Sequence, residues 1–264
     1  MNSDKNRIVY FSHGGGPLPL LGDPGHKAMI EFMNILPEKI VRPDLILVIS
    51  AHWEETVPTL LGSPNPPMFY DYYGFPLETY QVNYPAPGAP EKADLISRML
   101  QDSGIPSQIN ANRGYDHGHF IPLLMMYPEA NIPTLQLSLI RGLNPERHLR
   151  LGEALRPLLD ENILIIGSGF SFHNMSAFSW RPDGKPDPAK DAFQDWLIEA
   201  NTHSTYVATR NELLNWEHAS NARYCHPREE HLLPLLVCAG LAQAPAEVIF
   251  DDAILGKRGL GFGW

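Results

Sequence analysis

Residues 44–50 read DLILVIS, a short apolar run that is followed by Ala51 and a histidine, His52. Continuous hydrophobicity, without a polar residue at every second position, predicts a strand buried on both faces, as in a parallel sheet. Three further runs, bounded by turn residues, have the same character: RIVYFS (7–12), TLQLSL (134–139) and NILIIGSG (162–169).

Helical patterns separate these runs. Apolar residues recur at spacings of three and four in HKAMIEFMNIL (26–36), PEKADLISRMLQDSG (90–104) and PERHLRLGEALRPLLDE (145–161). The last two begin with proline, which is tolerated in the first turn of a helix. The alternation predicts an α/β fold with a central, mostly parallel sheet and helices on both faces. The C-terminal third is expected to be mainly helical, and residues 1–264 to form one domain, since no repeat or linker is visible.

Composition narrows the functional classes. The 264 residues carry a formal net charge of −10, which disfavours binding to nucleic acid or to an anionic membrane. The two cysteines form no C-x-x-C motif, so neither a disulfide framework nor a thiolate zinc site is indicated. No signal-peptide pattern or long apolar segment is visible, so we expect a soluble cytoplasmic protein.

Three of the predicted strands deliver a histidine at or just past their carboxyl ends: His13, His52 and His173. In an open α/β sheet those ends meet at one edge, where functional groups collect. Imidazoles held by separate rigid strands can aim at one metal ion. The alternative is that they merely cap the strand ends.

The segment CHPREEHLLPLL (225–236) offers one more ligand. His226 and His231 are five residues apart and cannot share a helix face, so at most one of them joins the site. His231 opens the apolar helical run and is the favoured choice, whereas His226 falls in the preceding loop.

A further histidine pair lies in GYDHGHF (114–120), before another helical run. Asp116 could tune the pKa of His117 or fix its tautomer, which would make His117 a general acid or base. Equally, Asp116 could cap a helix and His117 be incidental. His119 is the less favoured of the two histidines.

The region 66–88 is rich in proline and contains seven aromatic residues: Phe69, Tyr70, Tyr72, Tyr73, Phe75, Tyr80 and Tyr84. A long loop of this kind can cover an active site, and aromatic walls suit a planar apolar substrate. The alternative, that most of the seven pack the loop against the sheet, remains open.

The glycines of SHGGGPL (12–18) match no phosphate-binding loop, because neither G-x-G-x-x-G nor a following Lys-Ser/Thr is present. An esterase oxyanion loop is equally unsupported, since no G-x-S-x-G elbow accompanies it. Glycine allows the backbone to turn sharply and approach a ligand closely, so Gly14 and Gly15 are candidate substrate contacts.

Six motifs, in this order, are similar to those of the class III extradiol ring-cleavage dioxygenases of the LigB type, especially the 4,5-DOPA dioxygenase extradiol group: SHGGGPL, SAHWEE, YPAPGAPE, YDHGHF, GSGFSFHN and EEHLLPLL. They span residues 12–236. The family pattern commonly reads His-Gly-Ser-Pro where this chain reads His-Gly-Gly-Gly-Pro, which bears on the choice of substrate.

The resemblance implies a single-domain α/β fold and a metal held by His13, His52 and His231. His173 would be a fourth ligand or the catalytic base, and His117 a second-sphere acid or base. Fe(II) is the expected working metal, with Zn(II) also compatible with an all-histidine site, and dioxygen the co-substrate. The implied activity opens a catechol-type ring, with a DOPA-like ring as one candidate, to a semialdehyde, with Gly14, Gly15, Tyr72 and Tyr84 near the substrate. A zinc hydrolase using the same histidines is the alternative. No protein partner or oligomeric state is indicated.

Overall fold

The structure, a computed structural model, describes residues 7–178 and 188–264 of the chain. In this part, the strands that pair into one sheet are β1 (Ile8–Ser12), β2 (Leu45–Glu55), β3 (Thr59–Leu61), β4 (Gln108–Asn110), β5 (Thr134–Ile140), β6 (Ile163–Gly169), β7 (Glu247–Ile254) and β8 (Lys257–Gly263). Their order across the sheet is β4-β3-β5-β2-β6-β1-β8-β7. The central strands β5, β2, β6 and β1 are all parallel, which confirms the predicted mostly parallel sheet.

The helices of the described residues are α1 (Lys27–Ile35), α2 (Pro90–Asp102), α3 (His117–Met126), α4 (Pro145–Ala154), α5 (Pro188–Thr202), α6 (Tyr206–Leu214), α7 (Ala222–Cys225) and α8 (Leu233–Ala242). Two end before the predicted boundary, and at each of these points the chain passes into a 3-10 turn that contains a proline. The run 26–36 passes at Leu36–Lys39 into a 3-10 turn that contains Pro37. The run 145–161 ends at Ala154 and continues as a 3-10 turn over Arg156–Asp160, which contains Pro157.

Helices cover both faces of the sheet, as adjacent residues of β6 show. A side chain at Gly167 would meet Cys238 and Pro234 of α8. The neighbouring Ser168 donates a hydrogen bond to the carbonyl of Gly118 in α3. Because successive side chains of a strand point to opposite faces, α3 and α8 lie on opposite sides of the sheet.

The expectation of a mainly helical C-terminal third is wrong for its last segment, where β7 and β8 form an antiparallel hairpin. Its two-residue turn, Leu255-Gly256, has positive φ at both positions, as a tight hairpin requires. The usual Asn-Gly or Asp-Gly signal is absent from this turn, which is why the hairpin escapes sequence reading. Strand β8 then pairs antiparallel with β1 and extends the sheet.

Strand β2 is longer than the predicted 44–50 and carries His52 within it. Its register with β5 is interrupted between Ile49 and Glu54. Such irregularities bend a strand and redirect its side chains, and they are common beside active sites. Among the described residues, no helix is long and apolar enough to cross a membrane.

Three further histidines are buried parts of the scaffold: His119, His148 and His226. His148 accepts a hydrogen bond from the Ile140 amide and donates one to the Asn144 carbonyl, so its ring is neutral. Burial lowers the pKa of His148 to about 4, and that of His119 and of His226 to about 3.

We expect the metal-free protein to lose stability as the pH falls below 6.5. Each of these histidines has a folded-state pKa below its unfolded value, so the unfolded state takes up protons first. The expected loss is roughly 2 kcal/mol per histidine between pH 7 and pH 5. Urea unfolding at both pH values measures it. His148→Gln should flatten the dependence by about one proton, whereas His218→Gln, at an exposed position, should leave it unchanged. A free energy of unfolding that is constant over this range would contradict the prediction.

Candidate active site

Three histidines from separate elements converge at the carboxyl edge of the sheet. His13 directly follows β1, His52 lies in β2, and His231 lies two residues before α8. The Nε2 atom of His52 is 3.0 Å from Nε2 of His13 and 3.2 Å from Nε2 of His231. His226 does not join them, because its Nε2 donates to the carbonyl of Ser171.

In His13, His231 and His52, the other ring nitrogen is Nδ1. The partner of each Nδ1 indicates that this nitrogen carries the proton. Nδ1 of His13 lies 2.9 Å from Oγ of Ser168, whose own hydrogen is donated to the Gly118 carbonyl, so Nδ1 is the donor. Nδ1 of His231 lies 2.8 Å from a carboxylate oxygen of Glu230. Nδ1 of His52 lies 3.4 Å from Oδ2 of Asp71. All three Nε2 atoms therefore present lone pairs to one another.

Such an arrangement fits a bound cation. Three unprotonated nitrogens this close repel one another unless a positive charge lies between them. A metal 2.0–2.1 Å from each of two tetrahedral ligands places them roughly 3.3 Å apart, close to the separations seen. Burial, together with the charges of the neighbouring histidines, lowers the pKa of His13, His52 and His231 well below the usual value, which favours the neutral, metal-binding form.

Asp71 joins His52 to a fourth histidine, His117. Its Oδ1 accepts from Nδ1 of His117 at 2.8 Å and from the His117 backbone amide at 3.0 Å. The ring of His117 lies 3.8 Å from that of His52, centroid to centroid. Burial alone would raise the pKa of Asp71, but its hydrogen bond to His117 and the nearby imidazoles lower it to about 2. Asp71 is thus an anion that orients both rings.

Glu230 joins His231 to a fifth histidine, His173, in the same way. One oxygen, Oε1, lies 2.8 Å from Nδ1 of His231 and 2.9 Å from Nδ1 of His173. The two rings stack with centroids 3.4 Å apart. Burial opposes ionisation of Glu230, but the contact with His173 outweighs it and lowers the pKa of the carboxyl. In both His117 and His173, the carboxylate contact thus engages Nδ1 and leaves Nε2 on the other side of the ring.

Asp116 makes neither of the hydrogen bonds that its sequence position suggests: it does not bond to the ring of His117 and it does not cap α3. Its carboxylate accepts hydrogen bonds from Ser50, Arg113 and Gln136, and makes none to the backbone at the start of α3. The partner of His117 is Asp71, 46 residues away in the chain. Burial and the charge of Asp71 raise the pKa of Asp116.

Sequence reasoning missed Asp71, Glu230 and Ser168. Asp71 is the one acidic residue in the run PPMFYDYYGFP, and Glu230 directly precedes His231. Those positions are the only local signals. Which imidazole each carboxylate meets depends on how the loops fold over the sheet edge.

A cavity of about 340 Å³ opens beside the histidines. All five imidazoles and the backbone of Gly14, Gly15 and Gly16 form its floor. Its remaining walls are Tyr72, Tyr73, Phe75, Phe170, Met175, Phe178 and Leu255. A cavity of this size and lining suits a small aromatic molecule.

Tyr84, expected near the substrate, does not line this cavity. Its side chain is fully buried in the core, and its hydroxyl donates to the carbonyl of Tyr127. Tyrosines 70 and 72 of the aromatic loop donate to backbone carbonyls within the loop itself. Most of the seven aromatics thus pack the loop, and only Tyr72, Tyr73 and Phe75 face the cavity.

The glycine segment is held by a buried histidine. His26 receives a hydrogen bond on Nε2 from the Gly15 amide at 3.0 Å, and its Nδ1 lies 2.8 Å from Oδ1 of Asp23. Gly14 and Gly16 have positive φ, a conformation that other residues rarely adopt. A side chain at Gly14 would also lie 2.7 Å from the ring of His26. His26 therefore fixes the backbone that borders the cavity.

We expect His26→Ala to lower kcat/KM by roughly tenfold through misplacement of this backbone. His26→Gln, which retains an acceptor for the Gly15 amide, should recover most of the loss. Steady-state kinetics on variants with matched metal content test this. Equal kinetics for the alanine variant and the unaltered protein would contradict the assigned positioning role.

The chain is similar to known proteins along most of its length. Residues 22–255 match the family model of the catalytic LigB subunit of aromatic ring-opening dioxygenase. The chain is 41% identical to the dioxygenase tasH of Hapsidospora irregularis, over 94% of this chain and 82% of that protein. It is 40% identical to the 4,5-DOPA dioxygenase extradiol of Beta vulgaris, over 96% of this chain and 94% of that protein. The crystal structure of the uncharacterized protein JW3007 from Escherichia coli K12 superposes with a TM-score of 0.79 at 26% identity, covering 97% of this chain and 98% of that one.

Proposed function

Since the chain belongs to the LigB family of aromatic ring-opening dioxygenases, we propose that it opens a catechol-type ring next to its two hydroxyls, with His13, His52 and His231 holding the metal. The observation that carries the proposal is the convergence of three unprotonated Nε2 atoms beside an apolar cavity. The proposed product is a semialdehyde, and the proposed metal is Fe(II), with dioxygen as co-substrate. When bound, such a metal supplies Lewis acidity toward the catechol hydroxyls and electrons for dioxygen.

Two histidines of the chain accept and return the protons of the catechol hydroxyls. His117 and His173 both line the cavity, and each has Nδ1 held by a carboxylate. With Nδ1 as the donor, Nε2 accepts a proton from a catechol hydroxyl. The imidazolium that results is stabilised by Asp71 in one case and by Glu230 in the other, and it can return the proton when the ring opens.

We assign His117 and His173 to the second sphere of the metal site, where they act as acid or base and not as ligands. His173 shares its carboxylate with the proposed ligand His231 and stacks on its ring. One close group of ligand atoms is all imidazole and belongs to His13, His52 and His231. The other two groups each include a carboxylate: His117 lies with His52 and Asp71, and His173 with Glu230 and His231. Zinc hydrolysis at the same histidines is the other activity such a site could support, but both relatives described above are named as dioxygenases.

The test uses metal-free protein loaded anaerobically with Fe(II) or with Zn(II), then mixed with a panel of catechols in an oxygen electrode. We expect dioxygen uptake and a yellow product from the Fe(II) sample alone. Turnover of esters or amides by the Zn(II) sample without dioxygen uptake would support a hydrolase. Failure of every catechol with Fe(II) would overturn the proposal.

A further inference from the structure

We propose that the substrate is a catechol whose substituent is uncharged and apolar, rather than one with an amino-acid tail. The inference rests on the proposed function, because it concerns the part of the molecule that extends away from the two hydroxyls. It also separates this chain from relatives whose names specify DOPA, a catechol with both an ammonium and a carboxylate on its tail.

The side chains that line the cavity are the basis of this inference. Among the described residues that line it, none is a lysine, arginine, aspartate or glutamate. Beyond the five histidines and the glycine backbone, one wall is formed by Tyr72 and Phe75, whose rings meet edge to face 5.6 Å apart. Another includes Phe170 and Phe178, with ring centroids 5.3 Å apart. A tail that leaves the histidines therefore meets aromatic faces.

Polar groups close to these walls already have partners. The Tyr72 hydroxyl donates to the carbonyl of Thr79 at 2.6 Å, which leaves only its ring toward the cavity. The amide of Gly15 is taken by His26. The two nearest carboxylates, Asp71 and Glu230, are each shared by a pair of histidines. None of these groups is free to pair with an ammonium or a carboxylate of the substrate.

A charged tail would thus lose water without gaining a partner. Burying a charge without a hydrogen-bonded counter-charge is costly, whereas an alkyl or aryl tail gains from leaving water. The cavity therefore disfavours a substrate with a charged tail and favours one with an apolar tail.

Four catechols with tails of similar length test the inference: 4-propylcatechol, dopamine, 3-(3,4-dihydroxyphenyl)propionate and DOPA. Binding to the Fe(II)-loaded protein is measured by calorimetry without oxygen, and kcat/KM by oxygen uptake. We expect 4-propylcatechol to bind roughly tenfold or more tightly than each charged compound, with kcat/KM in the same order. Equal or tighter binding of any charged compound would overturn the inference. Because the calorimetric ranking needs no turnover, absence of ring opening with all four would count against the proposed function alone.

A charge placed in the wall gives a second test. Met175 lines the cavity and is 60% exposed, so Met175→Arg puts a guanidinium beside the tail with little demand on folding. Leu77→Arg, at a site 80% exposed and outside the lining, is the matched control. We expect Met175→Arg to shift affinity from 4-propylcatechol toward the propionate by about threefold or more, and the control to leave the ratio unchanged. A ratio that Met175→Arg does not move would contradict the placement of the tail at this wall.

Discussion

His52→Ala is expected to abolish metal-dependent ring cleavage, with a fall in kcat of about 10³-fold or more. His52 is the central member of the cluster, since its Nε2 lies within 3.2 Å of Nε2 in both other proposed ligands. Its removal leaves two ligands, while Asp71 keeps both of its hydrogen bonds to His117. Because the side chain is about one-fifth exposed, the truncation leaves no large closed cavity in the core.

Metal content and thermal unfolding separate loss of metal from loss of fold. The unaltered protein should gain thermal stability when Fe(II) or Zn(II) is added, because a ligand that binds only the folded state stabilises it. His52→Ala should unfold at nearly the temperature of the metal-free protein and should gain little on addition of metal. His226→Gln is the matched control: His226 is buried nearby and donates to Ser171, a role that a glutamine amide can fill. Full metal binding and activity in His52→Ala would contradict the assigned ligand set.

His117→Ala is expected to lower kcat by about 10²–10⁴-fold while the metal content stays unchanged. His117 reaches the cavity, and its Nδ1 and backbone amide are both bound to Asp71. Loss of the ring removes a proposed acceptor of the substrate proton, but it leaves all three proposed ligands in place. The defect should therefore appear in kcat more than in anaerobic binding of the catechol.

His119→Gln is the control for His117→Ala, because it changes a histidine of the same helix that bonds to Thr134 and does not line the cavity. Its kcat should stay within a few-fold of that of the unaltered protein when both are folded. A kcat in His117→Ala within threefold of the unaltered value would exclude His117 from proton transfer and leave His173 as the base.

The sheet and its functional edge follow from local sequence patterns. Continuous apolar runs at 7–12, 44–50, 134–139 and 162–169 correspond to β1, β2, β5 and β6, and these are parallel neighbours in the sheet. Because the carboxyl ends of parallel strands meet at one edge, the same patterns place His13, His52 and His173 together. His231 comes from a later part of the chain and lies in the turn just before α8, which brings it to the same place.

Features that depend on long-range packing escaped the sequence. Asp71 is one polar residue inside an aromatic loop, and its role appears only when that loop folds over the edge beside His52 and His117. Tyr84 belongs to the same loop, yet its side chain is fully buried and its hydroxyl donates to the carbonyl of Tyr127. Alternating or helical periodicity carries no information about either outcome, because both depend on how residues far apart in the chain are packed.

Ring opening by dioxygen is tested most directly by the stoichiometry of the reaction of the Fe(II)-loaded protein with a catechol. Dioxygen consumed, catechol lost and product formed are followed together, and the product is weighed by mass spectrometry. We expect one dioxygen to be consumed per catechol and a ring-opened product whose mass is that of the catechol plus one dioxygen. Catechol loss without that mass gain, as in simple oxidation to a quinone, or turnover that needs no dioxygen, would contradict it.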